Sequence, residues 1–319
     1  MQADGEDKKW ELFNSIISEI DSKNALDDII LIGGWALILY RMHYKNSNIP
    51  SKSTSDIDFL FRQPPKIKNP FQIEKMLIEK GFSRESSLTT KECRYRHHLL
   101  DIDFLIPLVG SPGKEGVVKI HGYNVSATRL RYLDIATMIT IKIKYNGSIV
   151  TLPHPAAYTY GKYMTAPLRK DKVKMAKDID TAKHLSNFIM EEEEHMEVFY
   201  KLLNKVNPSW NTKFFRIIKE LNPYFHDVLN EFISKKKVNE FVAENKIDES
   251  RKGLLLLSDM ILVEKNLEKY RIPVYIKILE GLKPSHIQYF VNSFLLKGKT
   301  DVSAEEINKS KRKKSQTDH

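Results

Sequence analysis

Thr54-Ser55-Asp56-Ile57-Asp58-Phe59-Leu60 is the stretch whose reading decides the fold. It places two carboxylates two residues apart at the start of an apolar run. In a β-strand, residues i and i+2 share a face, so Asp56 and Asp58 point the same way. Two carboxylates side by side repel, and folding gives no reason to keep them. A divalent cation with oxygen ligands removes that penalty. The plain alternative is a pair of solvated aspartates on an edge strand.

The same pattern returns in Leu99-Leu100-Asp101-Ile102-Asp103-Phe104-Leu105. Acidic residues inside such an apolar segment need a partner or a metal. If this strand lies beside Asp56–Phe61, a third carboxylate completes a metal site. Upstream, Leu31-Ile32-Gly33-Gly34-Trp35-Ala36 puts two glycines between a strand and a helix. Glycine there lets phosphate approach the backbone, and the N–H groups of the helix start favour an anion. Taken alone, a tight strand-to-helix turn explains Gly33-Gly34 as well.

Working outward, residues 8–22 have helical spacing of Trp10, Phe13, Ile16, Ile17 and Ile20. Residues 28–32 read as a buried strand, 35–44 as a helix, 46–55 as a polar loop around Pro50, and 56–61 as a strand closed by Pro64-Pro65. A short helix follows over 71–81, then one long strand over 94–107 and a turn over 110–116. A hairpin over 117–120 and 123–127 precedes a helix over 130–138. A second hairpin, 141–145 with 148–152, turns on Asn146-Gly147. From Pro155 to about residue 298 the pattern is helical, broken at Pro167, Pro208, Pro223, Pro273 and Pro284. Residues 300–319 are polar and basic and read as disordered. The expected class is α+β: a mixed β-sheet flanked by helices, followed by an all-helical half. The expected domains are 1–152, 153–299 and a basic tail, 300–319.

Composition sets outer limits. With 41% hydrophobic and 29% charged residues, the chain can form a globular core. No apolar run is long enough for a transmembrane helix, and the N-terminus lacks a signal-peptide pattern. The lone Cys93 excludes an internal disulfide framework, so a cytoplasmic location is expected. Net charge is +10, from 51 Lys+Arg against 41 Asp+Glu, and half of the excess sits at Lys309, Lys311, Arg312, Lys313 and Lys314. Such a balance admits a polyanionic partner. His97-His98 read as strand neighbours on opposite faces, unable to form one site. Glu191–Glu194, His154, His184 and the lysines of 170–188 read as surface or structural residues, with Lys177 beside Asp178 singled out.

With these residues in view, the chain resembles the nucleotidyltransferase superfamily with the polymerase-β-type fold. It is most similar to bacterial members that carry Gly-Gly-Trp-Ala, Asp-Ile-Asp-Phe and Asp-Phe-Leu-x-Pro-Leu, the last here being Asp103–Leu108. The likeness continues through Leu130–Asp134, Pro155–Lys162 and Lys177-Asp178, and covers about residues 29–190. It implies that Gly33 and Gly34 hold triphosphate and that Asp56 and Asp58 bind metal. Asp103, not Asp101, matches the third acid, which binds one metal and helps deprotonate the acceptor hydroxyl. Lys162, Arg169 and Lys177 match basic positions that neutralise phosphate. Two features depart from the pattern. The interval from Gly34 to Asp56 is long, with 46–53 as an insertion, and Gly34 replaces a serine that many relatives carry.

The expected activity is therefore transfer of a nucleoside monophosphate from an NTP such as ATP to a hydroxyl, supported by two Mg2+ ions. RNA, a protein side chain and a small molecule remain as acceptors, and the basic balance favours RNA. A toxin or defence component with an antitoxin-like protein partner is a compatible biological role. A catalytically inactive nucleotide- or nucleic-acid-binding module is the alternative.

Overall fold

The computed structural model describes residues 2–46, 48–50, 54–87, 92–109 and 116–245, and beyond these only Leu255, Leu256, Asp259 and Leu262. The elements in chain order are α1 (Gln2–Ser22), β1 (Ile29–Ile32), α2 (Gly33–Tyr44), β2 (Asp56–Phe61), α3 (Ile73–Glu79), β3 (Ser83–Ser87), β4 (Glu92–Arg96), β5 (Asp101–Pro107), β6 (Gly116–Ile120), β7 (Val125–Leu130), α4 (Ile135–Met138), β8 (Thr140–Tyr145) and β9 (Ser148–Pro153). Helices α5 (Pro155–Thr165), α6 (Lys172–Glu191), α7 (Glu193–Lys205), α8 (Pro208–Leu221) and α9 (Pro223–Asn245) follow. By their contacts, residues group into two units, Met1–His226 and Asp227–His319. Helices α5 to α8 thus fall in the same unit as the sheet. Of the second unit, the described residues include buried Leu229, Ile233 and Val238 on one stretch of α9.

The central sheet is mixed, with strand order β1-β2-β5-β4-β3, and β7 joins β5 further along with β6 outside it. Strand β2 runs parallel to β5 and antiparallel to β1. Alternation along β2 and β5 sorts their side chains into two faces. Ile57, Phe59, Phe61, Ile102, Phe104 and Ile106 are buried on one side, where Phe59 and Phe61 stack on Phe104. The opposite face holds a small cluster of Ile30, Ile32, Leu60, Leu105 and Ala136. By the strand period, Asp56, Asp58, Asp101 and Asp103 continue that second face toward the strand starts. The α+β class expected from the sequence is the class observed.

Local signals explain most element boundaries. Phe13 of α1 stacks on Trp35 of α2 at 3.7 Å, both fully buried, which explains the apolar spacing of residues 10–20. Asn146 and Gly147 both have positive φ, the backbone a two-residue hairpin needs, and they join β8 to β9. His154, Asp171 and Asn207 each cap a helix by accepting backbone N–H bonds, and Pro155 and Pro208 occupy first-turn positions.

Three expectations are corrected. The single strand expected over 94–107 is two antiparallel strands, β4 and β5, joined by a turn in which the His97 N–H bonds to the Leu100 carbonyl. Strand β3, polar throughout, was not anticipated at all. The helix expected over 130–138 starts only at Ile135, because β7 extends to Leu130 to pair with Pro107. The breaks at Pro273 and Pro284, the turn at 110–115 and the basic tail lie outside the described residues.

Candidate active site

The parallel register places Asp58 opposite Asp103 and Asp56 opposite Asp101. With the i, i+2 rule, all four carboxylates therefore share one face at adjacent strands. Asp56 is exposed, while Asp58, Asp101 and Asp103 are half-buried. Burial, then the charge of Asp103, pushes the Asp58 carboxyl up to about 6, against the pull of Lys162. Burial likewise raises Asp103, although the Arg94 guanidinium works in the opposite direction. Burial is the main cause of both upward shifts, with the neighbouring carboxylates adding to it and Lys162 and Arg94 opposing it.

Gly33 and Gly34 open α2 directly beside Asp58, since Ile32 is the register partner of Asp58. Gly33 has φ +71°, and a Cβ there would lie 2.0 Å from Asp58 Oδ2. A Cβ on Gly34 would lie 2.7 Å from the Thr54 side chain. Both glycines are thus required by close approach of the carboxylate strand to the helix start. Gly33→Ala is expected to destabilise the fold by about 2 kcal/mol or more, from left-handed backbone strain and the clash. Chemical denaturation measures this, and a variant as stable as wild type would contradict the tight Gly33–Asp58 contact.

Helix α5 supplies the next layer. Tyr158 and Lys162 lie one turn apart on the same face. The Tyr158 hydroxyl donates to the Gly33 carbonyl at 2.9 Å, and the Lys162 ammonium lies 5.4 Å from the Tyr158 ring centre. Lys162 Nζ donates to Asp178 Oδ1 at 2.6 Å, and Arg169 Nε donates to Asp178 Oδ2 at 2.9 Å. Burial opposes the charge on both Lys162 and Asp178. Tyr158 and then Asp178 overcome it at Lys162, holding that group above its usual value, and Lys162 and Arg169 hold Asp178 below. Lys162 and Arg169 therefore meet on one carboxylate, and Lys162 also feels Asp58. Lys177, the third cation expected here, lies exposed on α6 beside Asp178.

The third strand pair brings in residues that sequence reasoning did not name. Arg94 of β4 is the register partner of Asp103, and Glu85 of β3 is the partner of Arg94. Arg94 Nε donates to Asp103 Oδ1 at 2.9 Å and Nη2 to Oδ2 at 2.5 Å. Its Nη1 reaches Asp101 Oδ2 at 3.4 Å. Arg96 donates to the same Asp101 oxygen at 3.3 Å and to Glu85 at 2.5 Å. Arg94 is the residue missed, and Asp178, named only as the neighbour of Lys177, is the carboxylate on which Lys162 and Arg169 meet. Each had a signal: Asp178 lies in helical phase with Thr181, Ala182, Leu185 and Phe188, and Arg94-x-Arg96 has the same spacing as Asp-x-Asp.

The donor set suits a hard divalent cation in kind: carboxylate oxygens, carrying excess negative charge, beside a glycine-cleared backbone. As the side chains stand, no three His, Cys, Asp or Glu among the described residues converge closely enough to hold a metal ion. Asp103 bonds instead to Arg94 through both of its oxygens. His97 and His98 differ from expectation. They lie in the β4–β5 turn, their rings 4.1 Å apart, and line a cavity of about 380 Å³ with Gly81, Ser83, Arg96 and Asp101.

A mixed sheet with paired carboxylates on adjacent parallel strands, beside a glycine-started helix, is consistent with a nucleotidyltransferase-type fold. Residues 11–202, more than half of the chain, match the family described as nucleotidyltransferase, and the chain belongs to that family. Among solved structures, an antigenic nucleotidyltransferase-like protein from Paracoccidioides brasiliensis is similar at 16% identity, covering 65% of this chain and 92% of that one, with a TM-score of 0.33. A tRNA nucleotidyltransferase complexed with a primer tRNA and an incoming ATP analogue is similar at 12% identity, covering 84% and 87%, with a TM-score of 0.18. No curated protein matches the chain. No helix among the described residues is long and apolar enough to cross a membrane.

Proposed function

We propose that the protein transfers a nucleoside monophosphate from an NTP to a hydroxyl acceptor, with Mg2+ as cofactor. The observation that carries this reading is the register Asp58↔Asp103, with Asp56 on the same face, next to Gly33-Gly34. Asp56, Asp58 and Asp103 would hold the metal. Bound there, Mg2+ would supply charge neutralisation for the triphosphate and would lower the pKa of the acceptor hydroxyl. The backbone N–H groups at the start of α2 receive phosphate oxygens, and the Tyr158 hydroxyl keeps the Gly33 peptide oriented. Lys162, Arg169 and Lys177 supply positive charge on the α5–α6 side. An Asp103 oxygen takes the acceptor hydroxyl proton. The acceptor oxygen bonds to the α-phosphorus as the bond to pyrophosphate breaks, and pyrophosphate leaves. Such chemistry requires positioning and charge neutralisation more than any further reactive group.

RNA is the acceptor that the net charge of +10 favours. A toxin or defence role acting on RNA is compatible with it. The test is incubation with each labelled NTP, Mg2+ and total RNA or cell lysate, across a salt series. Label is expected to enter a macromolecular product, with attachment to RNA weakening steeply as salt rises. A second reading, a nucleotide-binding module without turnover, is favoured by the hold of Arg94 on both Asp103 oxygens. Saturable NTP binding with no labelled product in any lysate would select that second reading.

A further inference from the structure

The proposed metal site contains a cation of its own. Asp58, Asp103 and Arg94 are successive register partners across β2, β5 and β4, so their side chains lie in one row on one face. The guanidinium meets Asp103 as a two-pronged fork, Nε to Oδ1 and Nη2 to Oδ2. Such bidentate pairing is among the stronger and more directional ion pairs. It approaches from the β4 side, whereas Asp58 lies on the β2 side. A divalent ion shared by Asp58 and Asp103 needs an Asp103 oxygen presented toward β2. Each carboxylate oxygen keeps a second lone pair, but a guanidinium fixed on both oxygens repels an incoming dication and fixes the plane of the carboxylate. The neighbouring Arg96 differs. It is the register partner of Asp101, two positions along, and contacts Asp101 and Glu85.

We propose that Arg94 is a resident counter-cation that holds Asp103 while the site lacks its divalent ion, and that metal loading requires the fork to release at least one Asp103 oxygen. Arg94 is then a positioning residue. It keeps clustered carboxylates compatible with a folded sheet before loading, and it competes with the metal for the third ligand. This rests on the metal-dependent reading above. The opposite role is equally concrete: an Arg94 that only orients Asp103 for the metal would strengthen binding.

The experiment is Mn2+ titration of the nucleotide-free full chain by calorimetry, comparing wild type with R94A, R94K and R96A. Thermal melts in the presence and absence of Mn2+ verify folding. R94A is expected to bind Mn2+ about tenfold more tightly, because removing a cation beside the carboxylates relieves its repulsion of the dication. R94K keeps the charge but loses the fork, so a smaller gain is expected. R96A removes an equal charge without touching Asp103, and its gain is expected to be smaller than that of R94A. If R94A fails to fold, the R94K result decides, with no gain over wild type overturning the proposal. Weaker or unchanged binding in R94A overturns it, as does an equal gain in R96A, which would reduce the effect to net charge. If wild type and all variants bind no Mn2+, the metal reading falls and takes this proposal with it. That result is distinct from a wild type that binds while R94A does not improve.

Discussion

Asp58→Asn removes nucleotidyl transfer, by a factor of at least about a hundred to a thousand, while the metal-free protein becomes more stable. The activity loss follows from removing a central carboxylate from a site that works by holding charge in place. The stability gain follows from the Asp58 carboxyl, whose folded value is about 6 against an ordinary 3.8. Between those values the folded chain binds more protons than the unfolded one, so wild type loses stability as pH rises from about 4 to 6 and does not regain it above. Asparagine is neutral throughout. The variant should match wild type near pH 4 and exceed it by about 2 kcal/mol at pH 8, allowing for solvent screening of a half-buried group. Denaturant unfolding at several pH values, without metal, reads the difference. Mg2+ should then stabilise wild type and not the variant. A variant that transfers at near wild-type rate would remove Asp58 from the chemistry. A variant less stable than wild type at pH 8 would mean that the four carboxylates do not repel as their placement implies.

Asp178→Ala is the largest expected loss of stability, about 3 kcal/mol. The carboxylate is buried and accepts from both Lys162 and Arg169. Its removal leaves the largely buried Lys162 ammonium without its ion-pair partner, with Asp58 a carboxylate that it still influences. Lys162 should then turn toward Asp58, and NTP affinity should fall about tenfold as the cation and the phosphates no longer share one arrangement. The depressed Asp178 value adds a pH signature. Its stabilisation is present above the ordinary carboxylate range and is lost as pH falls through the folded value, so wild type and variant converge in acid. Replacing both partners, Lys162→Met with Asp178→Leu, should recover much of the stability but none of the affinity. If Asp178→Ala unfolds at the same denaturant concentration as wild type, the pair is a surface contact and Lys162 is not held for phosphate.

The carboxylate row was legible because two physical periods coincided. The i, i+2 spacing of Asp56 and Asp58, and of Asp101 and Asp103, could only mean shared faces once both runs were apolar enough to be strands. Strand partnership itself was a guess until the register showed Asp58 against Asp103. Arg94 stayed hidden because 94–107 is rich in strand formers throughout, and nothing at His97-His98-Leu99-Leu100 resembles a glycine or proline turn. Read as one strand, the segment puts Arg94 well away from Asp103 along the chain; folded back on itself, it makes them partners. Strand β3 was missed for a related reason. Ser83–Ser87 has no apolar alternation, and it exists because β4 offers it an edge. Asp178 was noticed only as a neighbour of Lys177. The apolar positions that follow it at helical spacing marked Asp178, and not Lys177, as the inward-facing residue.

The parallel pairing of β2 with β5 has a consequence in time. These strands are separated in the chain by α3 and by the whole β3–β4 hairpin, and parallel neighbours cannot form by a local turn. Closing that loop is a late, slow kind of event, since its entropy is spent before its contacts form. Gly33 and Gly34 are synthesised early, Asp103 later, and Tyr158 and Lys162 later still. A nascent or partly unfolded chain therefore carries Asp56 and Asp58 of β2 yet has no assembled carboxylate row. If the carboxylate row is the site of transfer, activity is expected only once the sheet is finished.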